Sequence, residues 1–319
     1  MSTRKDIDVF KDASSRITLI GAGTIGLSFA ALHLQYLTSA SQLTIHDTRP
    51  DLQSYVETNL PKYLPTTQHH LVSQINLSNT EDTFPDAIRC ATIIQEQGPE
   101  NAPFKTKIWQ EIELHALKDA LLWSSTSGIP ASTQSALMKD KTRLLVVHPY
   151  NPPHIMPLLE IVPSPSTEPT LVERALGFWR KRGRKPVVIH KECTGFVANR
   201  LAFALLKEAI HLVDEGVVSV AEVDEIVEAS MGPRWAVVGP FKSYHAGGGV
   251  GGLEGFFGNI GGTVQGCWDE SGSPRYGKGE SWENKVFGQA KETYGVVDTE
   301  ERDRVTKRVV EAVREEKEP

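Results

Sequence analysis

The stretch RITLIGAGTIGLSFAALHLQYL (16–37) decides how the amino-terminal half of this chain folds. Ile17 to Ile20 form a short apolar and β-branched run with no charged residue, the pattern of a strand buried on both faces in a parallel sheet. GAGTIG (21–26) follows, and after it come apolar residues at helical spacing. Strand, glycine-rich turn and helix in that order open a βαβ unit. Gly21 permits the tight turn, Gly23 lets backbone approach a pyrophosphate, and Gly26 allows the helix to lie close to the sheet. Thr24 and Ile25 sit in the helix's first turn, where free N–H groups and a partial positive charge favour an anion.

A second strand, LTIHD (43–47), ends in Asp47. A carboxylate there suits both hydroxyls of an adenosine ribose and repels a 2′-phosphate, so the cofactor expected is NAD rather than NADP. Arg49, two residues on, is the opposing signal, because an arginine accommodates that phosphate. Glu96, directly after the strand ATIIQ (91–95), is assigned to the same cofactor site. Further strands read as INLS (75–78), LLWSS (121–125), LLVVH (144–148) and PVVIH (186–190), with helices over 24–37 and 102–120. The alternation predicts an α/β fold, a Rossmann-type doubly wound, mostly parallel sheet over residues 1–190.

Strands then stop, and residues 191–319 are expected to form a smaller, all-helical domain for substrate binding and dimerisation. GFVANRLAFALLKEAIHLVDEG (195–216) reads as one helix, with Phe196, Phe203, Leu206, Ile210 and Val213 on one face and Gly216 as its stop. Ser219 with Glu222 three residues later opens another helix through a capping box. The charged end of the chain, from Asp298, reads as a solvated helix. HAGGGVGGLEGFFGNIGG (245–262) carries nine glycines but lacks the GK[ST] ending of a phosphate loop. Close helix contact, flexible connection or a mobile segment near a pocket are its possible meanings.

With 319 residues, two domains are expected. A net charge of −6 and a pI near 6.0 argue against nucleic-acid binding. The basic cluster RKRGRKP (180–186) reads as a helix end, where cations favour the dipole. Cys90, Cys193 and Cys267 are scattered in no metal-like spacing, so no metal site, no disulfide frame and a reducing, cytoplasmic location are expected. The polar first fifteen residues read as a loose lead-in, and no apolar run is long enough for a membrane span.

The chemistry concentrates in RLLVVHPYNPPHIMPLLE (143–160). Four prolines remove backbone donors, so the segment is expected to be a rigid loop, neither helix nor mid-sheet strand. It presents His148, Asn151 and Glu160. Histidine titrates near neutrality and suits a general base for alcohol oxidation, and Glu160 would fix its tautomer. SSTSGIP (124–130) places Ser127 at the same carboxyl edge of the sheet, and Asn199 lies on the first helix after the strands. Each residue taken singly is as compatible with a structural cap or a satisfied core group.

Taken jointly, GAGTIG, SSTS, HPYNP with Glu160, and GFVANR resemble the 3-hydroxyacyl-CoA dehydrogenase family. Ser127 stands 21 residues before His148 and Asn199 51 after it, and the match runs from about residue 16 to 265. Within the family, HPYNPPHIMPLLEIVPSP and MGPRWAVVGPFKSYHAGGG most resemble the branch of lambda-crystallin (L-gulonate 3-dehydrogenase) and L-carnitine dehydrogenases. The resemblance implies that His148 is the base, with Glu160 as partner, and that Ser127 and Asn199 contact the substrate oxygen. It implies that Asn151 supports the histidine loop or the nicotinamide, and that the chain is a homodimer through its helical domain. Acyl-CoA members carry a lysine-rich helical insertion after the second strand, whereas residues 51–79 here hold only Lys62 and no arginine. A small free 3-hydroxy acid is therefore expected over a CoA thioester. Arg234 is a candidate for its carboxylate, or else a partner of Glu228, and Trp235 a wall for a cationic substrate. A short-chain 3-hydroxyacyl-CoA dehydrogenase is the alternative enzyme. A crystallin-like structural or NAD-binding protein without turnover is the alternative of another class.

Overall fold

The fold is described from a computed structural model, over residues 11–277 and 279–317. The first ten residues of the expected polar lead-in lie outside it. Among the described residues the chain divides into two compact units, the first ending at Asn199 and the second beginning at Arg200.

The first unit is built on a single sheet in the order β3-β2-β1-β4-β5-β6-β7-β8. The strands are β1 (Ile17–Ile20), β2 (Leu43–His46), β3 (Asn76–Ser78), β4 (Ile93–Glu96), β5 (Leu121–Ser124), β6 (Leu144–Pro149), β7 (Leu158–Pro163) and β8 (Lys185–Val188). Neighbours run parallel except β6 and β7, which pair antiparallel. The chain leaves β1 toward β2 and β3, then returns past β1 to β4. That reversal opens a crevice at the carboxyl ends of β1 and β4, where ligands of such sheets bind.

Helices cover both faces: α1 (Thr24–Leu34), α2 (Leu52–Asn59), α3 (Phe84–Arg89), α4 (Ala102–His115), α5 (Ala131–Gln134) and α6 (Pro169–Arg180). Side chains alternate across a strand, and the two cores divide accordingly. Ile17, Leu19, Trp123, Leu145, Val147, Leu159 and Ile161 pack with α1, α2 and α6. Ile20, Ile94, Leu122, Leu144, Val146 and Val162 pack with α3, α4 and α5. Each fully buried aliphatic side chain contributes roughly 1.5–3 kcal/mol. This two-sided burial is why the strands carry no polar alternation.

The segment expected to be a rigid loop contains a strand, and that expectation is corrected here. β7 begins at Leu158 and places Glu160 directly across from His148. The prolines do not oppose it. Pro149 and Pro163 end their strands, and Pro152, Pro153 and Pro157 fall in the connection between them, where no ladder donor is needed. His154 fastens that connection to α1: its Nδ1 lies 2.8 Å from Ser28 Oγ, and its backbone N–H donates to the same oxygen.

The basic cluster 180–186 ends α6 and enters β8, as expected, with Gly183 at φ +64° in the turn. Arg182, however, is buried and paired with Asp12 at 2.5 Å.

The second unit contains most of α7 (Ala198–Asp214), then α8 (Val220–Ala229), α9 (Met231–Val237), α10 (Pro240–Gly247), α11 (Gly252–Glu270), α12 (Ser281–Tyr294) and α13 (Thr299–Lys317). α7 starts later than the sequence suggests. Gly195 (φ +74°) and Phe196 (φ +50°) adopt left-handed backbone, through which a right-handed helix cannot propagate. Phe196 is therefore not on the helix's face but fully buried in the first unit's core. The stop at Gly216 (φ +77°) and the Ser219–Glu222 capping box are present. The glycine-rich stretch runs through the end of α10, a short 3-10 turn and the start of α11, and two of its glycines serve close backbone contact. A Cβ at Gly248 would lie 1.7 Å from Gly252 O, and one at Gly255 would lie 2.8 Å from Gly248 O. Among the described residues no helix is long and apolar enough to cross a membrane.

Candidate active site

The glycine turn forms as its sequence predicts. Gly21 sits at φ +105°, and a Cβ there would come within 3.0 Å of the Gln97 carbonyl. Around Gly23 nothing lies within 4 Å of an added Cβ, so the backbone is open to a ligand. Gly26 differs in its reason: a Cβ would strike Gly21 O at 2.0 Å, so the contact that demands glycine is with the turn, not the sheet. No side chain caps α1, and Gly23 and Thr24 are exposed with Ile25 beside them half-buried. Asp47, just past β2, accepts from Ala22 N at 2.8 Å through Oδ2 and from Arg49 N at 3.0 Å through Oδ1. Arg49 itself pairs with Asp51 at 2.8 Å and lies over the Tyr55 ring at 3.3 Å. An open glycine turn, an uncapped helix start and an acid after β2 fit a dinucleotide.

Glu96 lies elsewhere. Strand parity turns it toward α4, where Lys105 Nζ donates to both carboxylate oxygens at 2.8 and 2.9 Å. Gly98 N and Ser124 Oγ donate to it as well. Pair and carboxylate are wholly buried. Removing one partner of such a pair costs roughly 3–5 kcal/mol, so this carboxylate is committed to holding β4, β5 and α4 together.

His148 and Glu160 emerge on one face of adjacent strands because both share the parity of Val146 and Val162. His148 Nδ1 stands 2.8 Å from Glu160 Oε2, with both residues buried. The second carboxylate oxygen accepts from Val197 N and Ala198 N, each at 2.9 Å, so Glu160 also caps the start of α7. Burial alone would raise the Glu160 carboxyl, but the His148 bond and the Ala198 and Val197 N–H groups outweigh it and hold it below the usual range. An ionised carboxylate only accepts, so in the neutral imidazole Nδ1 carries the proton and Nε2 the lone pair. The imidazole is thereby set up to take a proton at Nε2. Phe196 packs on the ring, centroids 5.3 Å apart.

Ser127 is exposed in the loop after β5. Glu100 clamps that loop, accepting through Oε1 from Thr126 Oγ1 (2.5 Å), Ser127 N (3.1 Å) and Gly128 N (3.0 Å). A Cβ at Gly128 would lie 3.4 Å from Gly195 N, so the two loops meet closely. Asn199 Nδ2 reaches Ser127 O at 3.4 Å. Ser127, His148, Glu160 and Asn199 thus gather at the carboxyl edge, in the first unit. Asn151 is exposed in the connection after β6, joined to Pro152 by a cis peptide. Arg234 and Trp235 lie exposed on α9, in the second unit. Glu100 and Lys105 escape the sequence reading, and Phe196 enters it only as a helix-face residue. Nothing in their spacing marks them, since each acts through a tertiary contact.

The amino-terminal region, residues 16–193, matches the model of the 3-hydroxyacyl-CoA dehydrogenase NAD-binding domain, and residues 195–270 match that family's C-terminal domain. The chain belongs to the 3-hydroxyacyl-CoA dehydrogenase family. It is 36% identical over 247 residues to a 3-hydroxyacyl-CoA dehydrogenase of Gibberella moniliformis, covering 75% of this chain and 74% of that one. An L-carnitine dehydrogenase of Oceanobacillus iheyensis is 32% identical over 267 residues, covering 81% and 84%. Among solved structures, an NAD+-dependent 5-formyl-3-hydroxy-2-methylpyridine 4-carboxylic acid 5-dehydrogenase superposes with TM-score 0.72 at 26% identity, covering 93% of this chain and 97% of that one. The protein is accordingly an NAD-dependent oxidoreductase of this family, and its first unit is the NAD-binding domain.

Proposed function

We propose that this enzyme oxidises the 3-hydroxyl of a small free 3-hydroxy acid, of the gulonate, carnitine or 3-hydroxybutyrate kind, to the ketone. The observation that carries the reading is the buried His148–Glu160 pair, whose geometry leaves Nε2 as the basic nitrogen. His148 takes the hydroxyl proton at Nε2, and Glu160 stabilises the imidazolium that results. Bound NAD supplies the acceptor for the hydride that leaves C3. Ser127 and Asn199 orient the substrate oxygen. Gly21, Gly23, Thr24, Ile25 and Gly26 hold the pyrophosphate, Asp47 the adenosine ribose, and Asn151 supports the histidine connection or the nicotinamide. Glu96 serves the cofactor only indirectly, by fixing the end of β4.

The substrate's size is argued from charge. Across 51–79 the only cation is Lys62, and its Nζ donates to Asn59 Oδ1 at 2.9 Å. That is poor provision for the phosphates of CoA. Exposed Arg234 is our candidate for the carboxylate, with Trp235 beside it for a cationic group. The Gibberella relative supports a second reading, a short-chain 3-hydroxyacyl-CoA dehydrogenase. We further place the enzyme in the cytoplasm, on its three free cysteines, and assemble it as a homodimer through α7 and its neighbours.

The deciding experiment screens NADH formation over carnitine, sugar acids, 3-hydroxybutyrate and 3-hydroxyacyl-CoAs, with His148→Ala as control. Turnover of a free acid, rising with pH through one ionisation and falling ~10²–10⁴-fold in His148→Ala, is expected. Turnover confined to CoA thioesters would replace the first reading by the second. Full activity of His148→Ala would end both.

A further inference from the structure

Gln97 follows β4 and lies against the glycine turn, yet the bonds described above leave its side chain unused. Its backbone N–H donates to Ile20 O at 2.8 Å, which fixes it beside the end of β1. Its Oε1 lies 3.8 Å from where a Cβ on Gly26 would stand, so the amide reaches over the first turn of α1. Both Oε1 and Nε2 are buried, and neither has a hydrogen-bond partner. Among the described residues no other side-chain amide has both ends buried and without a partner. Because both ends are unpaired, exchanging the oxygen and nitrogen assignments would not satisfy it. A buried amide without partners destabilises the free protein, and such groups call for an explanation in what they meet during function.

The topology says what that is. β2 and β4 flank β1 on opposite sides, so Asp47 lies on one side of the glycine turn and Gln97 on the other. If Asp47 marks the adenosine ribose, Gln97 stands beyond it, at the pyrophosphate and the half of the dinucleotide that follows. We propose that Gln97 is a cofactor-positioning residue whose side-chain N–H donates to the nicotinamide-side phosphate of bound NAD. This rests on the glycine turn being the dinucleotide site.

The test is titration calorimetry of NADH, ADP-ribose and AMP against the full-length protein, with Gln97→Leu and Gln97→Glu. Leucine keeps most of the volume and removes the hydrogen bond. It should weaken NADH and ADP-ribose on the order of tenfold, as expected for one bond to a charged group, and leave AMP unchanged. The ligand-free Gln97→Leu protein should melt no lower than the parent, since an orphaned amide has gone. Glutamate keeps the shape and brings a negative charge toward the phosphates, so it should weaken NADH further and more so at low salt. It carries the comparison if the leucine variant fails to fold. Equal NADH affinity in the parent and the variants, or an equal loss for AMP, would overturn the proposal. A parent protein that binds no NADH would refute the dinucleotide reading itself, and the Gln97 role with it.

Discussion

Glu160 makes opposite demands on any replacement. One oxygen accepts from His148 and the other from two backbone N–H groups. Glutamine has one acceptor, so it either turns its NH₂ toward Val197 and Ala198, donor against donor, or offers it to His148 and imposes the wrong tautomer. Glu160→Gln should therefore lower kcat by roughly 10²–10⁴-fold while NADH affinity barely moves. Unchanged turnover would remove the carboxylate from the mechanism. The same residue has an acid signature. Its folded pKa lies below the unfolded value, so the ionised carboxylate stabilises the fold above the ordinary carboxyl range of about 4.3 and that contribution is lost as pH falls below it. The melting-temperature gap between the parent and Glu160→Gln should accordingly narrow on acidification through that range. A gap that held constant would contradict the assigned shift.

At the scale of elements, the site depends on strand parity and on loops tied down from outside themselves. His148 was legible from its place after LLVV, because a strand's end at the carboxyl edge is visible in sequence. β7 was not, because prolines on both sides of PLLEIVP read as exclusion when they only delimit the strand. Glu96 was misdirected for a related reason: sequence position places it at the end of β4, but only parity tells which face it serves. The loop of Ser127 is held by Glu100 from the start of α4, a contact with no sequence signature. Glu100→Ala should lower kcat/KM for the hydroxy substrate by about 10–100-fold, as three hydrogen bonds to one carboxylate oxygen are lost. Glu100→Gln retains an acceptor and should restore most of the activity. An alanine variant as active as the parent would show that the loop holds itself.

For the molecule as a whole, α7 poses the question of assembly. Leu201, Phe203 and Leu206 are 62%, 59% and 52% exposed in the single chain, and α8 and α9 bury no residue. Apolar side chains crowded on one helix mark an interaction surface. A second copy of the chain is the occupant proposed here. Sedimentation should give a dimer, and Phe203→Asp with Leu206→Asp should yield a monomer that is less stable but still folded in its first unit. A parent protein that sediments as a monomer at micromolar concentration would refute the assembly.

By itself, the sequence determined the first unit's class, the strand–glycine–helix turn and the acid after β2, and it nominated Ser127, His148, Glu160 and Asn199 as the candidate set. These are encoded locally, in buried runs, turn residues and fixed separations. The tertiary structure alone decided that His148 faces Glu160 across an antiparallel pair, that Glu160 also caps α7, and that Phe196 leaves the helix for the core. It alone committed Glu96 to Lys105 and left the Gln97 amide without a partner. Each of those depends on which residues from distant segments meet on one face of the sheet, and burial turns such meetings into hydrogen bonds, ion pairs or orphaned groups.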